Sequence, residues 1–116
     1  MRLDRLKTFA LAQPRTSVVK QWGGLVFKVV DKMFVMLVLD GEVLGSVIFK
    51  CTPQEFDELT QIDGIGQAPY CAKRMWVKVE DLAVLPEKEL QERIRHSGVH
   101  TTGEKHRQGD GVEQRV

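Results

Sequence analysis

The chain has 116 residues, of which 42% are hydrophobic and 28% are charged, and its formal net charge is +1. This length and composition predict one globular domain with a single hydrophobic core. The small net charge excludes nucleic-acid binding through bulk charge, so any basic surface must be local. No apolar run approaches the roughly 18 residues of a membrane helix, and the first residues lack the apolar stretch of a signal peptide. We therefore expect a cytoplasmic protein without a membrane partner.

The first segment has helical periodicity. Leu3, Leu6 and Phe9 recur at the spacing of one helix face. This spacing predicts an amphipathic helix over residues 3–12, which ends before Pro14.

A tryptophan and two glycines lead into the predicted sheet. Residues 15–21 before them are interpreted as a polar connection. Gly23 and Gly24 predict a backbone that turns sharply or is approached closely, because neither residue carries a Cβ atom. Trp22 either lines a pocket or plugs the end of the sheet, and the usual burial of tryptophan favours plugging.

Residues 25–50 hold most of the β-branched and aromatic residues, in three short runs. The breaks at 31–32 and 40–45 contain the Asp and Gly residues that favour tight turns, so we predict a meander of three antiparallel strands. These strands are 25–30, 33–39 and 46–50. The second run has no polar residue. It is therefore either covered on both faces, or it presents an apolar face to a partner such as a second copy of the chain.

The second half of the chain begins with a strong helix start. Thr52, Pro53 and Glu55 have the residue types and spacing of an N-cap, a first helical position and a capping box. They predict a helix over residues 53–60, followed by a loop at 62–66.

Two more strands and a last helix complete the predicted domain. The strands are expected at Tyr70-Cys71 and Met75–Glu80, with a turn at Lys73-Arg74 between them. The last helix is predicted over residues 87–97, because acidic residues begin it and basic residues end it.

Gly98 is predicted to cap the last helix, and residues 98–116 are predicted to be a disordered polar tail. Residues 1–97 then form one two-layer α+β domain. Its element order is α-β-β-β-α-β-β-α, with one antiparallel five-stranded sheet and helices chiefly on one face.

Short motifs occur in a fixed order along residues 3–97. They are Ala12-Gln13-Pro14, Trp22-Gly23, Phe27-Lys28-Val29, Lys32-Met33-Phe34, Leu39-Asp40, Lys50-Cys51, Pro69-Tyr70, Lys73-Arg74, Trp76-Val77, Leu85-Pro86 and Glu89-Leu90. In order and spacing, this set resembles the MmcQ/YjbR family of small bacterial proteins. The resemblance implies a CyaY-like α+β fold with an antiparallel sheet. It also implies DNA binding, an activity assigned to the family largely by fold analogy.

The best candidate site is a cluster of cations around a tryptophan. The predicted DNA-binding residues are Lys73, Arg74, Trp76, Lys78, Lys28 and Lys50. Trp76 and Lys78 share one face of a regular strand, and basic groups around an aromatic ring are typical of nucleic-acid binding. The alternative is a solvated strand edge with Trp76 packed in the core, which is the commoner environment of a lone aromatic residue.

The remaining polar residues do not predict a catalytic or metal site. His96, His100 and His106 share no ligand spacing with a cysteine or a carboxylate. The acidic residues of the second helix are interpreted as a cap and a solvated face. Cys51 and Cys71 lack a flanking catalytic motif and are predicted to be free thiols. We therefore expect no cofactor, no metal and no enzyme activity.

Two functions remain. The first is a DNA-binding domain. The second is a protein-interaction module, homodimeric through the apolar second strand or its edge, without a nucleic-acid role.

Overall fold

The computed structural model describes residues 2–21, 23–69, 71 and 75–103. In this part of the chain, three α-helices and six strands form a two-layer α+β domain. In chain order they are α1 (Arg2–Leu11), β1 (Thr16–Gln21), β2 (Gly24–Val29), β3 (Lys32–Asp40), β4 (Val43–Lys50), α2 (Pro53–Leu59), β5 (Ile65–Gln67), β6 (Trp76–Val79) and α3 (Glu87–Gly103). A single 3-10 turn, Leu82–Val84, precedes α3. None of these helices is long and apolar enough to cross a membrane.

The six strands form one antiparallel sheet in the order β1-β2-β3-β4-β6-β5. The predicted α+β class and the meander, now β2 to β4, are confirmed, but the predicted number of five strands is wrong. Strand β3 is the apolar run of the sequence, and it lies between β2 and β4. Neither edge of β3 is therefore available to pair with another chain, which rules out the predicted dimer contact through that edge.

The strand that the sequence analysis missed is β1, which was interpreted as a polar connection. It lies at the edge of the sheet, where Val18 pairs with Phe27 and packs against the main core. An edge strand needs few buried side chains, so its apolar pattern is weak. The β-branched residues Thr16, Val18 and Val19 were the available signal.

The fourth predicted strand, at Tyr70-Cys71, is also placed wrongly. The edge strand is β5, which begins within the predicted loop at 62–66 and extends to Gln67, and Cys71 lies in a bend. Gly64 has a φ of 99° and permits the turn that lets Ile65 pair with Val79. Tyr70 and the predicted turn at Lys73-Arg74 lie outside the described residues.

The three helices cover one face of the sheet. Their buried residues join those of the strands in one main core, listed here by helix: Leu6 and Ala10 of α1, Leu59 of α2, and Leu90 and Ile94 of α3. Helix α1 matches its prediction closely. At the start of α2, the N–H of Glu55 donates to Thr52 Oγ1 at 3.1 Å, and the N–H of Thr52 donates to Glu55 Oε1 at 2.9 Å. The predicted capping box is therefore confirmed.

Helix α3 continues past its predicted end at residue 97 as far as Gly103. A Cβ atom at Gly98 would lie 3.3 Å from Cδ2 of Phe34, so glycine here permits close packing of α3 on the sheet rather than a helix cap. Thr101 is also buried. The first residues of the predicted tail are therefore helical, and residues 104–116 lie outside the described residues.

The glycines before β2 have the predicted roles. Gly23 has a φ of 75°. A Cβ atom at Gly24 would lie 2.6 Å from the carbonyl oxygen of Leu37 in β3. The neighbouring strand thus approaches the backbone closely, as the sequence indicated. Trp22, predicted to plug the end of the sheet or line a pocket, lies outside the described residues.

Candidate nucleic-acid interface

The sheet has a second face, opposite the helices, that we call the outer face. Strand alternation and cross-strand pairing place on it the side chains from which the site is built: Val26, Lys28, Met33, Met36, Val38, Ile48, Lys50, Trp76 and Lys78. The same rule adds Ser17, Val19 and Gln21 of β1, Asp40 of β3, and Val43 and Ser46 of β4. Val26, Met36 and Ile48 form a buried cluster of their own with Ala68. In the described part of the chain, no helical residue joins this cluster.

Strand register brings the predicted lysines together on the outer face. One row of paired residues crosses four strands, from Val26 to Met36, Ile48 and Lys78. Directly paired residues have their side chains on the same face. Lys78 therefore lies beside Ile48 at one end of this row.

Two more lysines of the predicted site lie beside the same row. Lys28 pairs with Met33 across β2 and β3, and Lys50 pairs with Trp76 across β4 and β6. Both positions are two residues along their strands from the row, and therefore on the same face. Three lysines from three different strands thus share one face with Trp76.

Trp76 does not belong to the main core. It is half-buried and packs against the outer cluster, together with Met33, Val38 and Cys71. Trp76 is thus a partly exposed residue on the face that carries the lysines. Two other predicted site residues, Lys73 and Arg74, lie outside the described residues, as part of the segment just before Trp76.

A cavity of about 720 Å³ opens on the outer face. Its lining residues are Gln21, Val26, Lys28, Met33, Met36, Val38, Ile48, Pro69 and Cys71. No sequence pattern predicted this cavity. The available signal was β3, whose residues are apolar on both faces although helices cover only one of them.

The two thiols are free, as predicted, and their environments differ. Cys51 is buried in the main core, and burial together with the nearby Glu55 carboxylate raises the pKa of its thiol to about 11. Burial also raises the pKa of Cys71, which is half-exposed in the cavity. Neither thiol is activated as a nucleophile at neutral pH, because only the thiolate attacks efficiently.

The acidic residues near α2 have structural contacts. Glu55 caps the helix through Oε1, and its Oε2 lies 3.2 Å from Nη1 of Arg93 in α3. Within the described residues, no group of three or more His, Cys, Asp or Glu side chains is arranged to hold a metal ion.

Comparison with known proteins places the chain in a family. The family model YjbR matches residues 11–97. The chain belongs to the YjbR family. The match includes every predicted site residue of this YjbR protein, and the family that the sequence motifs resembled is confirmed.

Two solved structures share the fold of this YjbR protein. A Deinococcus radiodurans protein with a DUF419 domain has a TM-score of 0.79 and 22% identity, with 98% of this chain and 94% of that chain covered. A Pseudomonas syringae protein has a TM-score of 0.70 and 22% identity, with 87% and 99% covered. At such identities the likeness concerns the fold alone. No curated protein matches the sequence.

Proposed function

We propose that this YjbR protein is a DNA-binding domain that holds single-stranded DNA on its outer face. The observation that carries the proposal is the shared position of Lys28, Lys50 and Lys78 around an apolar centre, with Trp76 beside them. Ammonium groups contact phosphates, and an accessible aromatic ring stacks on an unpaired base. Alternation along β3 places one acidic residue, Asp40 at the strand end, on this face, so the three lysines leave the outer-face strand positions with a positive local charge.

The architecture favours a single strand over a duplex. The described helices all pack on the opposite face, whereas the major groove of duplex DNA is usually read by a helix or a two-stranded ribbon. An open sheet face with an aromatic residue is the surface on which other proteins spread unpaired bases. Trp76 and Met33, which are both partly exposed, supply such a surface here.

Lys73 and Arg74 are proposed as two further phosphate contacts. They precede Trp76 by only three and two residues in the sequence. With Lys28, Lys50 and Lys78 alone, the logarithmic salt dependence of binding to a single strand should have a slope of about −2, and five contacts should give about −3.5.

Fluorescence anisotropy of a labelled oligothymidylate, measured across a salt series, tests this function. We expect the affinity to fall as the salt concentration rises, with a logarithmic slope between about −2 and about −3.5. We also expect a lower affinity for a duplex of equal length. Trp76→Leu should weaken single-strand binding by about 1–3 kcal/mol, because a stacking platform is lost, and should leave duplex binding unchanged. Circular dichroism controls for folding. Absence of binding at low salt, or an affinity that does not change with salt concentration, would contradict the proposal.

The second candidate is a protein-interaction module, in which the outer face joins two copies of the chain. The partly exposed apolar side chains that surround the outer cluster, Met33, Val38 and Trp76, favour it, since contiguous apolar surface often marks protein contacts. Sedimentation equilibrium separates the two candidates. A dimer that Met33→Glu dissociates, in a protein that does not bind oligonucleotides, would support the interaction module. A monomer that binds DNA would support the first function.

A further inference from the structure

The cavity on the outer face has the size and lining of a small-molecule site. Its volume of about 720 Å³ lies within the range of about 300–1,000 Å³ for such sites. The floor comes from the outer-face side chains of β2, β3 and β4, while Pro69 and Cys71 of the segment after β5 line one wall. Seven of its lining residues are apolar or weakly polar: Val26, Met33, Met36, Val38, Ile48, Pro69 and Cys71.

The two polar lining residues lie at opposite ends of this cavity. Gln21 pairs with Gly24 at one end of β2, whereas Lys28 lies four residues further along that strand. Four residues of extended chain span about 13 Å. The cavity is therefore elongated, with an amide at one end, an ammonium group at the other and apolar walls between them.

Lys28 gives this cavity a charge preference. The Lys28 side chain has no ion pair with any other described residue, and its position opposite Met33 sets the ammonium beside apolar surface. An ammonium group at the edge of an apolar site interacts most strongly with an anionic ligand, because charge-assisted hydrogen bonds are stronger there than in water. Methionine walls adapt to flexible hydrocarbon shapes.

We propose that the cavity binds a small amphipathic acid, with the carboxylate at Lys28 and the apolar chain extending along Met33, Met36 and Val38 toward Gln21. The occupant is a single small molecule rather than a macromolecule, because the site is a concave cavity with one cation at its end. This site does not depend on DNA binding, and its test contains no DNA.

Cys71 provides a direct probe, because its thiol lines the cavity. At pH 8, N-ethylmaleimide should label the folded protein at Cys71 alone, since Cys51 is buried and its pKa is raised to about 11. Cys71→Ser should abolish the labelling. Dodecanoate is the chosen probe of the site, and 1-dodecanol is its uncharged counterpart.

We expect dodecanoate to slow the labelling of Cys71 at least tenfold. Lys28→Gln should raise the half-protecting concentration of dodecanoate about tenfold and should leave protection by dodecanol unchanged. Val38→Phe should fill the cavity and remove protection by both compounds. Val43→Phe is the matched control, because Val43 is 63% exposed and does not line the cavity.

Three results would overturn the proposal. They are unprotected labelling at millimolar dodecanoate, equal protection in wild type and Val38→Phe, and an equal effect of Lys28→Gln on dodecanoate and dodecanol. Urea denaturation of each variant confirms that it is folded. Because DNA is absent, these outcomes are independent of whether the outer face binds a single strand.

Discussion

The side-chain hydroxyl of Ser97 in α3 donates a hydrogen bond to the backbone carbonyl oxygen of Phe34 in β3. The hydroxyl oxygen of Ser97, Oγ, also accepts a hydrogen bond of 2.9 Å from the N–H of Lys50 in β4. Ser97 is fully buried, so it joins the long helix to two central strands without solvent competition.

Ser97→Ala should therefore lower the free energy of unfolding by about 1–3 kcal/mol, because one backbone carbonyl and one N–H lose their buried partner. Urea denaturation measures the change. Ser17→Ala is the matched control, since Ser17 is exposed on edge strand β1, and it should change stability by no more than about 0.5 kcal/mol. Equal effects of the two substitutions would contradict this role of Ser97.

The β2–β3 turn contains a strained valine. Val29 pairs with Lys32, so the two-residue loop is Val30-Asp31, with φ angles of 50° and 67°. Positive φ at both positions is typical of a type I′ turn, which favours Asn and Gly, whereas a β-branched residue is unfavourable there.

Val30→Asn should therefore stabilise the protein by about 1 kcal/mol. Thermal denaturation should show a higher Tm. Val43→Asn provides the comparison, because Val43 is exposed in β4 without a positive φ. This variant should not have a higher Tm than the wild type. A lower Tm for Val30→Asn would show that the valine side chain contributes more than its backbone strain costs.

The elements that depend on local sequence could be predicted, and those that depend on distant pairing could not. The capping box of α2 uses only Thr52 and Glu55, three residues apart, and its geometry follows from the residue types. Strand β5 instead depends on a turn at Gly64 and on pairing with β6, which no local pattern reveals. Gly98 matched a helix cap in sequence, but its packing against Phe34 required the tertiary structure.

The candidate site was predictable to a similar extent. Alternation along one strand places Trp76 and Lys78 on the same face. The addition of Lys28 depends on strand order and on a bulge in β3, where Phe34 is an extra residue between Met33 and Val35. This bulge changes which residues of β3 face the core, so periodicity alone could not show that Met33 and Met36 line one cavity.

The buried thiol of Cys51 makes the free energy of unfolding depend on pH in the alkaline range. Its pKa is raised from 9.0 to about 11 in the folded protein, first by burial and then by Glu55. Between these values the unfolded state binds fewer protons than the folded state, so stability is complete below pH 9 and falls as the pH rises.

We expect Cys51 to account for a loss of about 1 kcal/mol between pH 8 and pH 10. Urea denaturation at both pH values, for wild type and Cys51→Ala, measures it. The variant should be less stable at pH 8 because it leaves a cavity, but it should lose less stability on going to pH 10. An identical pH dependence of the free energy of unfolding in both proteins would mean that the pKa of the Cys51 thiol is not raised by folding.

The salt dependence of single-strand binding in two matched double variants tests the outer face most directly. Lys28→Gln with Lys78→Gln removes two outer-face cations. Lys20→Gln with Lys32→Gln removes two exposed lysines whose pairing partners, Leu25 and Val29, pack in the main core on the opposite face. Both pairs change the net charge equally.

Anisotropy of labelled oligothymidylate across a salt series is the measurement. The outer-face pair should reduce the magnitude of the logarithmic salt slope by about 1.4, since each lost phosphate contact on a single strand contributes about 0.7. The control pair should leave the slope unchanged. Equal slopes and affinities for the two double variants would contradict DNA binding at the outer face.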